Sequence, residues 1–233
     1  MSKQAKSQKF HMTAGLIMVV VFVGVLIAFF SPIFGGHNGL DYLDKLYNSI
    51  SKNSAYYIPE LSEQAAKYDG AKLEATLTLP DAETAARAAL LFAGAGAQAA
   101  AEGDKLKVSG DLGKVFASTL ADAEAMYHNQ GDKLAARYQG KEGRLMLYTW
   151  WRGYNALEKA LNRQKNFAQA KFVAVVQAKA VEMTYNYYGI EPQSISERWL
   201  IVAISLLFYV VYTLWYGFGV MYLFEGAGYQ LEH

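Results

Sequence analysis

AGLIMVVVFVGVLIAFFSPIF (Ala14–Phe34) and WLIVAISLLFYVVYTLWYGFGVMYLF (Trp199–Phe224) are the two stretches whose reading decides the fold. No charged residue interrupts Met12–Gly36, and none interrupts Trp199–Phe224. A helix crossing the hydrocarbon core of a bilayer needs about 20 apolar residues at about 1.5 Å each, and both stretches reach that length. They predict an integral membrane protein and exclude a freely soluble one. Lys3, Lys6 and Lys9 precede the first stretch without an acidic residue, the bias of a cytoplasmic flank. Its apolar core exceeds the about 7 to 15 residues of a cleaved signal peptide, and no Ala-x-Ala site follows it, so an uncleaved anchor is expected.

Two crossings then return the chain to the side from which it started. The expected organisation is a cytoplasmic tail (1–13), a first transmembrane helix (14–34), an extracytoplasmic domain (35–198), a second transmembrane helix (199–224) and a short cytoplasmic tail (225–233). Leu231–His233 reads as the remnant of an expression tag. The chain holds no cysteine and no N-x-[ST] acceptor, which together point to a bacterial inner membrane with the central domain periplasmic. The missing cysteines also exclude disulfides, thiolate zinc sites and cysteine nucleophiles. A formal net charge of +1 argues against a nucleic-acid partner.

Within the second span Ser205, Tyr209, Tyr212 and Tyr216 recur at helical spacing, which predicts a polar face used for helix packing or as a pore lining. In the first span Gly24, Ala28 and Ser31 form a small-residue ridge that permits close helix approach. Pro32 is expected to end or kink that helix. The spans contain no carboxylate, histidine or basic residue, which speaks against a proton pathway.

The middle of the chain, residues 35–198, carries 19 basic and 19 acidic side chains and is long enough for a packed core. Leu40–Tyr57 has a helical rhythm, interrupted or restarted at Pro59. Strict alternation of Leu73, Ala75, Leu77 and Leu79 with polar residues predicts a half-buried strand. Asp81 is placed to cap a helix over Ala82–Ala93. Strands are expected at Gln98–Ala101 and Lys105–Ser109, and Asp111 is placed to cap the next helix. The product is a β-α-β-β-α unit over residues 72–130, a mixed two-layer sandwich. From Gly131 the chain reads helical to Tyr188. A single helix from Arg144 would run about 68 Å, so it either breaks near Asn162–Asn166 or forms a stalk; a long helical stalk over 141–188 is the favoured expectation. The expected class is an α+β membrane protein, two transmembrane helices flanking an extracytoplasmic domain.

Candidate chemistry is sparse. Gly94, Gly96 and Ala99 match a relaxed dinucleotide fingerprint, but they follow a helix and precede a strand, the reverse of the order that aims backbone amides at a pyrophosphate. His37, Asp41 and Asp44 read as a solvated turn and helix-starting acids rather than a metal corner. No G-x-S-x-G nucleophile signature is present. No catalytic residue, metal or cofactor is expected, and the chain is read as a non-enzyme. Two aromatic groups remain, Tyr148, Trp150, Trp151 and Tyr154, then Tyr185, Tyr187 and Tyr188, which suit core packing, membrane anchoring or partner contact. Self-association, or membership of a larger membrane complex in contact with the lipid bilayer, is the expected mode of action. An oligomeric channel and a periplasmic ligand sensor are the alternatives.

Overall fold

A computed structural model describes residues 3–33 and 35–229; Phe34, the expected end of the first span, and Leu231–His233, the suspected tag remnant, lie outside the described residues. The chain is mostly helical, with one three-stranded sheet. It divides into two compact units, one formed by the described residues up to Ile50 together with those from Gln193 onward, the other by Ser51–Pro192.

In the first unit, α1 (Lys3–Phe30) and α10 (Ile195–Gly226) pack along their length. Both are long and apolar enough to cross a membrane, and their side chains are almost entirely on the surface of the chain. That is the opposite of a soluble core helix and what a lipid-solvated helix requires. α1 ends at Phe30, two residues before Pro32, whose ring and missing N–H cannot continue it. α10 begins four residues before the expected start, because Ser194 caps it by accepting from the Ser196 N–H. α2 (Gly39–Ser54) starts in this unit, where Asn38 accepts the Asp41 N–H.

The second unit is built on the β-α-β-β-α segment. β1 (Lys72–Thr78), β2 (Gln98–Glu102) and β3 (Lys105–Asp111) form an antiparallel sheet in the order β1-β3-β2. The alternation of β1 turns Leu73, Ala75 and Leu77 inward and leaves the residues between them exposed. Asp81 accepts from the Thr84 N–H to start α4 (Ala82–Gly94), and Asp111 accepts from Gly113 and Lys114 to start α5 (Leu112–Tyr127). α3 (Ile58–Ala65) starts with Pro59 in its first turn and packs on α5.

The long stalk expected over 141–188 does not form. After α6 (Gly131–Arg137) the chain turns and α7 runs from Gly143 to Arg163; Gln164–Asn166 then reverse it, with Lys165 at φ +64°. α8 (Phe167–Val176), a π-helical turn (Gln177–Glu182) and α9 (Met183–Asn186) lead back along α7. The reason is amphipathicity. On α7, Met146, Leu147, Trp150, Tyr154, Leu157 and Leu161 make one buried stripe at spacings of 3 and 4, and a free stalk would leave it in water. The stripe packs instead against β1, α4 and the returning helices.

Candidate functional site

The seam of the α1–α10 pair is a seven-residue repeat. On α1 it uses Gly15, Phe22 and Phe29; on α10, Tyr212, Gly219 and Gly226. Phe22 stacks on Tyr212 at 5.4 Å and 8°, and Phe29 stacks on Phe208 at 5.7 Å. A Cβ on Gly15 would lie 2.8 Å from the Leu223 backbone nitrogen, and one on Gly226 would lie 2.5 Å from the Met12 nitrogen. Glycine is thus the residue that lets these two backbones touch. Trp215 Nε1 donates to the Met18 carbonyl at 3.2 Å. At one end of the seam His11 and Glu225 are 3.0 Å apart, with the His11 ring stacked on Tyr222.

This geometry divides the polar face read from the sequence. Tyr212 lies on the seam; Ser205 instead meets α2, its Oγ donating to the Val202 carbonyl and accepting from Tyr47 Oη at 2.7 Å. Tyr209 points away, with 62% of its surface exposed, whereas the Tyr216 ring lies 5.3 Å from Phe22 and keeps 51% exposed; neither phenol oxygen makes a hydrogen bond among the described residues. Gly24 and Ala28 are exposed as well, and nothing lies within 4 Å of a Cβ built on Gly24. Close approach within the chain uses Gly15, Gly219 and Gly226, not that ridge; Ser31 caps its own helix through the Ile27 carbonyl. The heptad spacing of glycine and aromatic residues was the available signal for the seam.

The aromatic residues of the second unit fall into two groups. Trp150 and Tyr154 are fully buried. Their polar ends meet an interior carboxylate: Asp122 accepts from Trp150 Nε1 (2.8 Å), Tyr138 Oη (2.5 Å) and Arg137 Nη1 (2.8 Å). Tyr154 Oη donates to Thr119 Oγ1 at 2.9 Å. Burial raises the Asp122 pKa against the pull of its three donors, and burial likewise pushes the Tyr138 and Tyr154 phenols up. These side chains hold the core together. Tyr138, Asp122 and Arg137 carried no motif in the sequence, because their partners are 15 to 28 residues away.

Tyr148, Trp151 and Tyr185 form the other group. Tyr148 and Trp151, one turn apart on α7, lie nearly parallel at 6.0 Å, and Tyr185 tilts toward Tyr148 at 6.4 Å. With Glu182 and Asn186 they line a cavity of about 210 Å³. Trp151 Nε1 donates to Glu182 Oε2 at 3.3 Å, and the buried Gln177 donates to the Trp151 carbonyl at 2.9 Å, which ties the π-helical turn to α7 at this point. Tyr187 and Tyr188 are half-buried against the core and outside this cavity.

Elsewhere, Lys52 is fully buried, donating to Asn129 Oδ1 (3.1 Å) and the Ile190 carbonyl (2.6 Å) beneath the Tyr127 ring. Burial lowers its pKa, with Glu191 opposing. Asn129 also binds the Gly189 N–H and Glu191, so this cluster fastens the first and last residues of the unit. Tyr56 donates to Glu124 at 2.6 Å, and burial with that bond pushes its phenol up to about 12. His37 lies 3.0 Å from Lys45 Nζ, while Asp44 accepts from Asn48. Comparison with protein families, curated proteins and solved structures gives no match.

Proposed function

We propose that this chain is a non-enzymatic integral membrane protein that acts through assembly, as a homo-oligomer or as a small structural subunit of a larger membrane complex, with its middle portion as an exported interaction domain. The observation that carries this reading is the pair of unpartnered phenols on α10. Counting from Trp199, Tyr209 lies about 15 Å along the helix, near the middle of a 30 Å hydrocarbon layer. A hydroxyl left without a partner in hydrocarbon costs free energy that a neighbouring helix recovers. The exposed Gly24 and Ala28 offer such a neighbour a smooth surface. Lys3, Lys6 and Lys9 support an inward amino end and hence export of the middle. A conduit lined by all four polar residues finds less support, since Tyr212 is stacked on Phe22 of α1 and Ser205 is hydrogen-bonded to Tyr47 of α2.

Gentle extraction into nanodiscs followed by native mass measurement tests the proposal. We expect more than one copy per particle or a stable second subunit. Replacing both Tyr209 and Tyr216 by Phe should weaken that association about tenfold, from about 0.6 kcal/mol for each membrane hydrogen bond. A lone monomer, unchanged by the double substitution, would overturn it.

A further inference from the structure

The cavity between α7 and the π-helical turn has walls of an unusual kind for a surface depression. Three of its five lining residues are the aromatic rings of Tyr148, Trp151 and Tyr185, and the other two are Glu182 and Asn186. Glu182, Tyr185 and Asn186 follow one another at spacings of 3 and 1, so the carboxylate and the third ring leave the backbone on the same side. The π-helical turn, which carries one extra residue per turn, sets their direction opposite Tyr148 and Trp151, and such turns recur at functional sites. Its attachment through Gln177, whose side chain is 92% buried, fixes the two walls relative to each other. Glu182 Oε2 is engaged by Trp151, while its Oε1 makes no hydrogen bond among the described residues.

Ring faces present negative charge, and a carboxylate beside them adds a full one, so the cavity suits a cation. The rings already show that preference outside it: Arg144 lies 4.7 Å from the centre of Tyr185 and Arg152 lies 5.7 Å from that of Trp151, yet neither guanidinium lines the cavity. The size and the acceptor count narrow the class. At about 210 Å³ the space is below the roughly 300 to 1,000 Å³ of a drug-sized site and admits one compact head group. A primary ammonium directs three N–H donors at polar acceptors; a trimethylammonium has none and covers aromatic faces with its methyl groups, which matches a wall where rings outnumber polar side chains three to two.

We infer that this cavity binds the trimethylammonium group of a choline-type compound, with Trp151 and Tyr185 as ring contacts and Glu182 as the counter-ion. Calorimetric titration of the full chain, purified in a maltoside detergent, tests this with choline chloride and with its neutral carbon isostere, dimethylbutanol. Choline should bind and the isostere should not at the same concentrations. Trp151→Leu should weaken choline binding about tenfold or more, and Glu182→Gln, a substitution at an exposed position that leaves the fold in place, several-fold. Equal heats from the two compounds, or an affinity untouched by Glu182→Gln in a chain with an unchanged melting curve, would sink the assignment. The source of the group is read from nanodiscs: weaker apparent choline binding in phosphatidylcholine than in phosphatidylglycerol discs assigns the cavity to lipid head groups, and equal binding assigns it to the free compound, the ammonium chemistry standing in both cases.

Discussion

The two units of this chain use the same aromatic residues to opposite ends. In Ser51–Pro192 three deeply buried polar rings are satisfied from within: Tyr138 and Trp150 share Asp122, and Tyr154 meets Thr119. In the α1–α10 pair the rings of Tyr212 and Tyr216 both meet Phe22, while the phenol oxygens of Tyr209 and Tyr216 make no hydrogen bond among the described residues. One unit is held by removal of apolar surface from water, the other by close backbone approach where lipid offers no such drive. The proposed assembly role rests on this contrast between rings hydrogen-bonded inside one unit and phenol oxygens left open on the other.

The largest expected effect that tests this contrast is Asp122→Ala. It strips Tyr138, Trp150 and Arg137 of their shared acceptor in the middle of the packed unit. Leaving buried donors unpaired and breaking a buried ion pair costs about 3 to 5 kcal/mol. Denaturant unfolding followed by tryptophan fluorescence should show that loss, and a change under about 1 kcal/mol would mean water already reaches the carboxylate.

A smaller effect is expected in the seam. Gly15→Leu places a side chain where even a Cβ meets the backbone of Leu223 and Gly219, so the helices must separate; overpacking of this kind costs about 1 to 3 kcal/mol. Gly24→Leu meets nothing within the chain and should leave the α1–α10 distance, read by spin labels, as it is. If Gly24→Leu instead reduces the mass of the native particle, the ridge serves a second molecule. Equal disturbance of the pair by both substitutions would break the distinction drawn here between an inner seam and an outer face.

Much of the fold is legible in local signals. The alternation of Leu73, Ala75 and Leu77, the capping aspartates at 81 and 111 and the second charge-free stretch are answered by a strand, caps and a helix within a few residues, whereas the first charge-free stretch lies in a helix that starts eleven residues earlier, at Lys3. The failures are non-local. The polar crowding at Asn162–Asn166 marks where the helical run after Gly131 breaks, but its periodicity does not say what its apolar stripe faces, so the favoured stalk fails where packing against β1 and α4 folds the chain back at Lys165. Spacings of 3 and 4 likewise place the four polar residues of α10 within one broad arc and cannot say which of them meet α1 and which meet α2. The cavity was half legible. Tyr148, Trp151 and Tyr185 stand out by residue type, whereas nothing local marks Glu182, which meets Trp151 in the fold.

Alkaline pH sharpens the picture of the closed unit. Tyr56, Tyr127, Tyr138 and Tyr154 all have phenols raised by burial, Tyr56 to about 12. A raised phenol stabilises the fold fully below the unfolded value of about 10, and that contribution is lost as pH climbs through the folded one. Lys52 acts with the other sign: its lowered pKa means that the buried charge costs stability at neutral pH, a cost relieved as pH rises toward about 10.4. The stability curve should therefore hold or rise slightly up to about pH 10 and fall steeply above it.

Tyr154→Phe isolates one part of that fall and is the smallest effect expected. The ring keeps its packing, and Thr119 still donates to the Val115 carbonyl, so near neutral pH only one hydrogen bond is lost, about 1 kcal/mol. Above about pH 10 the native chain must hold this phenol neutral while the unfolded chain ionises it, at about 1.4 kcal/mol for each pH unit. The Phe variant is spared that loss. The two stability curves, measured by denaturant titration at each pH, should therefore converge and cross near pH 11. Curves that stay parallel to that point would show that Tyr154 ionises inside the fold as readily as outside it, and the unit would then be open to water at its centre.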